Sequence, residues 1–421
     1  MEKKDNYNLM ILAFSGVPFI MVLGNSMLIP EFPQIKQALS INQFQVGLLI
    51  TVFSLSAGLS IPFLGYICDQ VGRIKVIVPS LLLYGGGGIV SGLAALLMDE
   101  PYHVILIGRV FQGIGAAGTA PIVMALVGDI FQSKQRSEVL GIIESANGVG
   151  KVTSPILGSA IGLISWIALF FFYAFLAVPI AVGVWIYGKE GDIEKQSFTE
   201  YINKFKDIFQ EKGFSLLTTI LAGMLVLFTL FGLLSYFSDI LKTKYNVEGF
   251  TSGLIIAIPI FFMSVTSYSN GVFLKNKNKY YKLAINIGLI LLPISLFVLN
   301  FIEALTFYII LFSIIGIGTG LVLPSVNTLV TSSCSIKQRG IITSLYGSAR
   351  FLGVAVGPPV FSTLQEISNT AMYFGTSGIT LLGLILSLFL IKEEGMTPPD
   401  DDNNDNNGDN DDNNNDNEDN G

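Results

Sequence analysis

The chain has 421 residues, of which 51% are hydrophobic and only 13% charged, and 31 of them are Phe. An ordinary soluble domain carries about 25% charged residues, so a water-soluble fold and a wholly disordered chain are both excluded for the bulk of the sequence. The formal charge of −7 is misleading, because residues 400–421 hold ten of the 31 acids and none of the 24 bases, which leaves the rest of the chain at +3.

A helix that crosses a bilayer needs about 20 consecutive apolar residues. Twelve such stretches follow one another, over 9–30, 44–67, 75–98, 102–127, 139–163, 166–188, 215–238, 250–273, 282–301, 304–330, 341–364 and 371–391. Lys3 and Lys4 precede the first of them as they would a signal peptide. That stretch is too long for a signal core and lacks a small-residue cleavage site, so it reads as a retained span. With an inside N-terminus, eighteen Lys and Arg fall in loops on one side. Only Lys36, Lys242 and Lys244 fall on the other, and Arg109, Lys151 and Arg350 lie within spans. The positive-inside bias then places both termini in the cytoplasm and the chain in the plasma membrane.

The spans group as an N-terminal six-helix bundle over 1–188 and a C-terminal one over 215–392, joined by a charged, amphipathic cytoplasmic linker over 189–214. Residues 393–421 read as a disordered acidic tail, since 400–421 contain only Asp, Asn, Glu and Gly and cannot build a core. A solvated appendage is the plain reading of it, and a cation-binding or partner-binding tail is the other. The halves repeat at a fixed offset of 203: Gly115 and Pro121 recur as Gly318 and Pro324, Lys134-Gln135-Arg136 as Lys337-Gln338-Arg339, Ser145-Ala146 as Ser348-Ala349, Gly150 as Gly353 and Pro155 as Pro358. Parallel six-helix repeats place a substrate site near the midplane between the halves, which rock about it. The expected fold is therefore an all-α membrane protein of twelve helices in two pseudo-symmetric bundles.

Gly65-Tyr-Ile-Cys-Asp69-Gln-Val-Gly72-Arg73 follows the second span. Gly65 suits close helix approach, Gly72 a tight turn, and Asp69 adds a fixed anion to a basic loop. This stretch resembles the loop signature of the major facilitator superfamily. The resemblance implies a cytoplasmic gate of Gly65, Asp69, Gly72, Arg73 and Asp129, in which Asp69 faces the N-terminus of the eleventh span near Ile341 and Arg73 meets Asp129. The counterpart from Gly271 to Lys279 has lost its acid and carries Lys275, so the latch is expected to be asymmetric.

The fourth span contains Arg109-Val-Phe-Gln112-Gly113-Ile-Gly115-Ala-Ala-Gly118. Its G-x-G-x-x-G lies inside an apolar helix with no preceding strand, so it is not a dinucleotide loop; small residues at this spacing let helices pack closely. A charge at the bilayer centre costs about 2.5–3.5 kcal/mol on the insertion scale. Arg109 therefore faces a cavity or a partner, or else snorkels to the interface. The stretch is similar to the superfamily's fourth-helix motif, which implies a part in proton coupling.

The fifth span reads Glu144-Ser-Ala-Asn147-Gly-Val-Gly150-Lys151-Val-Thr-Ser154-Pro155-Ile-Leu-Gly158-Ser159. It resembles the antiporter motif of drug-exporting facilitators through Gly150, Ser154, Pro155 and Gly158, with Ser154 and Ser159 standing where that motif has glycines. The first span ends Leu23-Gly24 to Pro30-Glu31-Phe-Pro33, also like an exporter signature, with Glu31 at its outer end.

Glu144 and Lys151 are seven apart and share a helix face with Asn147 and Ser154. Arg350 stands at the repeat position of Asn147. Intramembrane charges are functional by default. Glu144 is then a proton carrier, a partner of Arg109, or one side of a static ion pair, while Lys151, Arg350 and Asn147 line a substrate cavity that favours anionic or zwitterionic amphiphiles. Cys68 and Cys334 are too few for a disulfide framework or a zinc site, and the lone His103 rules out a multi-histidine centre. No metal, cofactor, nucleic acid or enzymatic activity is expected. The sequence reads as a monomeric, proton-coupled efflux transporter of the multidrug-resistance antiporter kind, working by alternating access in the lipid bilayer. An importer or uniporter for a sugar or organic anion, and a non-transporting membrane sensor on the same scaffold, are the alternatives.

Overall fold

The apolar stretches are helical because lipid offers no partner for backbone N–H and C=O groups, which must pair within each segment. The computed structural model of the protein describes residues 2–131, 133–190, 198–274, 280–333 and 339–392, with backbone alone for 2–6, 133–134, 198–212 and 339. Cys334, Lys337, Lys275 and the acidic tail over 393–421 lie outside the described residues.

The first span is α1 (Glu2–Ser26), a 3₁₀ turn (Ile29–Glu31) and α2 (Phe32–Leu39). It breaks where Pro30 and Pro33 remove backbone donors. There follow α3 (Gln43–Val71), α4 (Ile74–Leu97), α5 (Tyr102–Ala117) and α6 (Ala120–Ile130), the last two being halves of one span parted just before Pro121. Then come α7 (Ser133–Gly162), α8 (Ala168–Tyr187), α9 (Phe198–Thr243), α10 (Phe250–Phe273), α11 (Tyr281–Leu299), α12 (Leu305–Ser332), α13 (Arg339–Ile367) and α14 (Asn369–Leu390). No strand occurs among the described residues. A capping box starts α3: Asn42 Oδ1 accepts from the Gln45 N–H at 2.8 Å, and Gln45 Oε1 accepts from the Asn42 N–H at 2.9 Å.

One sequence expectation needs correction. The segment 189–214 is not a loop throughout: from Phe198 the backbone is helical and runs without a break into the seventh span as the 46-residue α9. Its polar first half continues the helix because it contains no proline, and the single glycine before the apolar part, Gly213, does not interrupt it. Of the twelve spans, eleven are long and apolar enough to cross a membrane by length and composition. The other is α7, 30 residues long, whose Glu144, Asn147, Lys151 and Ser154 dilute its apolar character.

A shift of 203 residues lays α3 on α10, α5–α6 on α12, α7 on α13 and α8 on α14 to within a few positions. The halves meet along α3–α13 and along α7–α10, two seams that the repeat interconverts. On the first seam Thr51 Oγ1 donates to the Ala355 carbonyl at 2.8 Å, and Ser348 Oγ to the Gly58 carbonyl at 2.5 Å. On the second, a side chain on Gly253 would overlap Ser159. One face of the bundle holds the start of α1, with the Tyr7 ring against Phe131 at 6.0 Å, and the end of α14, where the Lys392 N–H donates to Ser215 Oγ at 2.9 Å. We refer to it as the terminal face, and to the other, with the α2–α3 and α9–α10 connections, as the far face. Large apolar side chains such as Leu97, Phe175, Trp185, Phe273 and Phe389 project outward from the helices, as contact with acyl chains requires.

Candidate functional site

Arg109 is fully buried. Two neighbouring helices, α1 and α3, and its own α5 supply its acceptors and a ring. Nε donates to the Leu49 carbonyl at 2.9 Å, Nη2 to the Gly24 carbonyl at 2.6 Å and Nη1 to Gln112 Oε1 at 2.9 Å. The guanidinium lies 4.3 Å from the Phe53 ring centre. Gly24 and Gly113 let the helices come this close, since a side chain on Gly113 would overlap the Phe53 carbonyl. The expectation of a carboxylate partner is not met: Arg109 is held by carbonyl dipoles and a ring face, and Glu144 is elsewhere. The short acceptors favour Arg over Lys because only a planar fork reaches all three at once.

On α7, Glu144 is exposed and accepts from Asn147 Nδ2 at 3.0 Å. Lys151 lies in the electrostatic field of both Glu144 and Arg350, which brings the repeat-related helices α7 and α13 to one charged cluster. Arg350 stacks over the Tyr346 ring at 5.6 Å. Asn147 Oδ1, Ser154 Oγ and Arg350 Nε are buried without a hydrogen-bond partner. Buried polar atoms are ordinarily paired, so these three atoms are free to bind a guest or water. The remaining antiporter-type residues set distances. Gly150 rests on Val22 and Phe19, and Gly158 on the Met27 carbonyl, both in the first span, while Pro155 and Ser159 face Gly253 of α10. Small residues thus seat α7 between the first span and α10.

At the terminal face Gly72 turns the chain at φ +107°, a region that favours glycine. Arg73 Nη1 pairs with Asp69 Oδ1 at 3.0 Å, and its Nε with Asp129 Oδ2 at 2.7 Å. Nη1 also approaches Cys68 Sγ at 3.2 Å. Burial disfavours the Arg73 cation, but the hydrogen bond to Asp129 and the neighbouring Cys68, Asp129 and Asp69 raise its pKa above the usual arginine value. Asp69 shares a cavity of about 110 Å³ with Gly65, Gly340, Thr343 and Ser344, so it stands across from the start of α13. Sequence reasoning missed Glu190, whose carboxylate accepts from the Arg73 N–H and, at 3.2 Å, from the Ile74 N–H, capping α4.

The far face carries a cross-half seal that sequence reasoning also missed. Lys36 on α2 forms an ion pair with Asp239 on α9 and donates to Gln43 Oε1 at 3.0 Å. Gln43 Nε2 donates to the Ser235 carbonyl at 3.0 Å, and Ser238 Oγ to the Ile29 carbonyl at 2.6 Å. Beside them Glu31 is fully buried. Opposite charges at positions 36 and 239 of a 203-residue repeat were the available signal. His103 is exposed at the start of α5 on this face, edge-on to Tyr102 with ring centres 5.3 Å apart.

Two half-bundles, a buried arginine in the fourth span and a Gly/Asp/Arg turn after the second define a facilitator-type transporter. The family model of the Major Facilitator Superfamily matches residues 14–358, and the chain belongs to that superfamily. It is 40% identical to the bacillibactin exporter of Bacillus subtilis (strain 168), over 90% of this chain and 96% of the relative. It is 25% identical to multidrug resistance protein 2 of the same organism, over 91% and 95%. Among solved structures, a bacterial homolog of the human lysosomal transporter Spinster, crystallised inward-facing and unoccupied, superposes with a TM-score of 0.73 at 16% identity, over 93% of this chain and 97% of that one. The chain is a multi-pass membrane transporter rather than an enzyme, and its relatives place it with the efflux members of the superfamily.

Proposed function

We propose that the chain exports a small anionic or zwitterionic amphiphile across the plasma membrane, as a monomer, by alternating access driven by inward proton flow. The terminal face, with the start of α1 and the end of α14, is cytoplasmic in this reading, which the lopsided Lys and Arg distribution supports. One feature carries the substrate class: Lys151 and Arg350, on repeat-related helices, act on each other electrostatically, and Glu144 is the acid whose field reaches Lys151. An acidic guest would neutralise that surplus and accept from the unpartnered Arg350 Nε and from Ser154 Oγ, while Asn147 Oδ1 could accept from a hydroxyl or amide donor elsewhere on it. The name of the 40%-identical relative, an exporter, fits export of a single class of compound.

Glu144 is the proposed proton carrier: its side chain is exposed, and Lys151 on the same face feels its charge. Arg109 contributes by fixing the first, second and fourth spans that form one wall. The gate of Gly65, Asp69, Gly72, Arg73 and Asp129 closes the cytoplasmic side when the start of α13 moves onto Asp69.

The test is flux in proteoliposomes, across matched acidic, neutral and cationic amphiphiles, with and without an imposed proton gradient. Efflux of the acidic probe that rises with the gradient supports the reading. Replacing Lys151 or Arg350 with Ala should weaken that probe by about tenfold, the equivalent of 1.4 kcal/mol, and leave the neutral one unchanged. Preference for the cationic probe, or flux indifferent to the gradient, overturns it.

A further inference from the structure

Among the described residues, Glu31 is the one fully buried carboxylate. It sits between Pro30 and Phe32 in the short 3₁₀ turn that links α1 to α2, with no part of it exposed. Neither carboxylate oxygen has a hydrogen-bond partner. The carboxyl rests against the end of α7, where a side chain on Gly162 would overlap it. It also lies beside the cross-half fastening, two residues from Ile29, whose carbonyl accepts from Ser238 of the other half.

The charges that face it have partners of their own. Lys242 on α9 is the cation whose field reaches Glu31, and it pairs with Glu248. Asp239 on α9 and Lys36 on α2 pair with each other. The neighbouring α10 carries no charged residue, and every charge on α7 lies before Pro155. An ionised carboxylate shut away from water and without donors is strongly disfavoured, whereas a neutral carboxyl tolerates the site far better.

We propose that Glu31 is a proton-binding switch of the far-face seal, carrying a proton while the seal is closed and giving it to water as the seal opens. When the halves part, water reaches the carboxyl; its O–H bond breaks, the proton leaves to the compartment on the far face, and the carboxylate is solvated. Closing requires a proton to be taken back from that compartment. This inference rests on the reading of the far face as one that opens in the cycle, but not on proton-driven flux. Glu31 acts on gate opening from the far side, separately from the carrier role of Glu144.

The test uses the full-length protein in lipid nanodiscs, without substrate and without a gradient. With Cys68 and Cys334 replaced by Ala, spin labels are placed on Gln37→Cys and Thr243→Cys, exposed positions of the two halves on the far face. The distance distribution between them reports the open fraction. A one-proton switch lets the open-to-closed ratio rise with pH by up to about tenfold per unit. We expect that rise in the parent protein, and an Glu31→Gln variant that stays closed with a ratio changing less than about twofold across the same range. Glu31→Asp, which keeps a titrating group, should keep the pH response and covers the case of a Gln variant that fails to fold. A Gln variant as pH-responsive as the parent, or one held open, overturns the proposal, as does an Asp variant that has lost the response. Parent protein whose efflux rises with an imposed proton gradient, while its Gln variant keeps the parent's pH-dependent gating, would refute the switch and leave the efflux reading intact.

Discussion

Lys36 and Asp239 form an ion pair and are also each other's equivalents in the internal repeat, 203 residues apart. Repeat-equivalent residues can touch only close to the two-fold axis that relates the halves. The pair therefore marks that axis on the far face, where rocking of the halves pulls it apart along a single direction. Both side chains are partly shielded, at 22% and 15% exposure, so the attraction is less screened than in a fully exposed pair.

We predict that Lys36→Glu, which sets two acids against each other on the axis, raises the open fraction of the far face by about three- to tenfold, as 0.7–1.4 kcal/mol of lost pairing implies. The double swap Lys36→Asp with Asp239→Lys should return it to the parent value. Labelling of Ser235→Cys with an impermeant thiol reagent is the readout, and a double swap no more closed than the single variant counts against the fastening.

Arg109→Lys is expected to cost stability as well as transport. A lysine keeps the charge but abandons at least one of the Gly24 and Leu49 carbonyls, and a lost charge-assisted bond is worth about 1.5–3 kcal/mol. Thermal unfolding in detergent checks this. Unchanged stability with abolished flux would assign Arg109 a purely transport role instead.

Glycines separate into those that touch and those that do not. Gly113→Val should prevent accumulation of folded protein, because the added atoms meet the Phe53 backbone and overpacking costs about 1–3 kcal/mol or more. Gly148→Ala should be silent, since nothing lies within 4 Å of the added carbon. Size-exclusion profiles of the two variants side by side give the answer.

Glu190→Gln removes the anionic cap of α4 while keeping an acceptor. The expected loss is about 0.5–1 kcal/mol in unfolding free energy, the scale of a cap and helix-dipole contribution. Glu190→Ala should lose more. Equal stability of all three proteins would show that water serves the Arg73 and Ile74 N–H groups as well.

The halves, their span order and the relation of α7 to α13 were legible in the sequence, because apolar length and the 203-residue offset are local or periodic signals. The turn at Gly72-Arg73 was legible too, as glycine and charge sit in a fixed short pattern. What escaped was set by contacts between distant segments. Nothing near Glu31 says that Gly162 closes over it, and nothing in 189–198 announces that Glu190 folds back onto α4. The helical start of α9 was hidden because a polar amphipathic stretch reads alike as linker or helix until its continuation is known. Arg109 was recognisable as an intramembrane charge, but two of its three acceptors are backbone carbonyls, which leave no trace in residue identity.

The polar character of α7 has a consequence for biogenesis. Synthesis proceeds from the N-terminus, so this helix emerges when the first span already exists and α10 does not. Its glycines fit the first span, which can shelter one flank, but the flank bearing Pro155 and Ser159 must wait for a helix made some ninety residues later, and Lys151 for α13 later still. Until then α7 is a poor guest in lipid, so the nascent N-terminal half is completed only by the half that follows it.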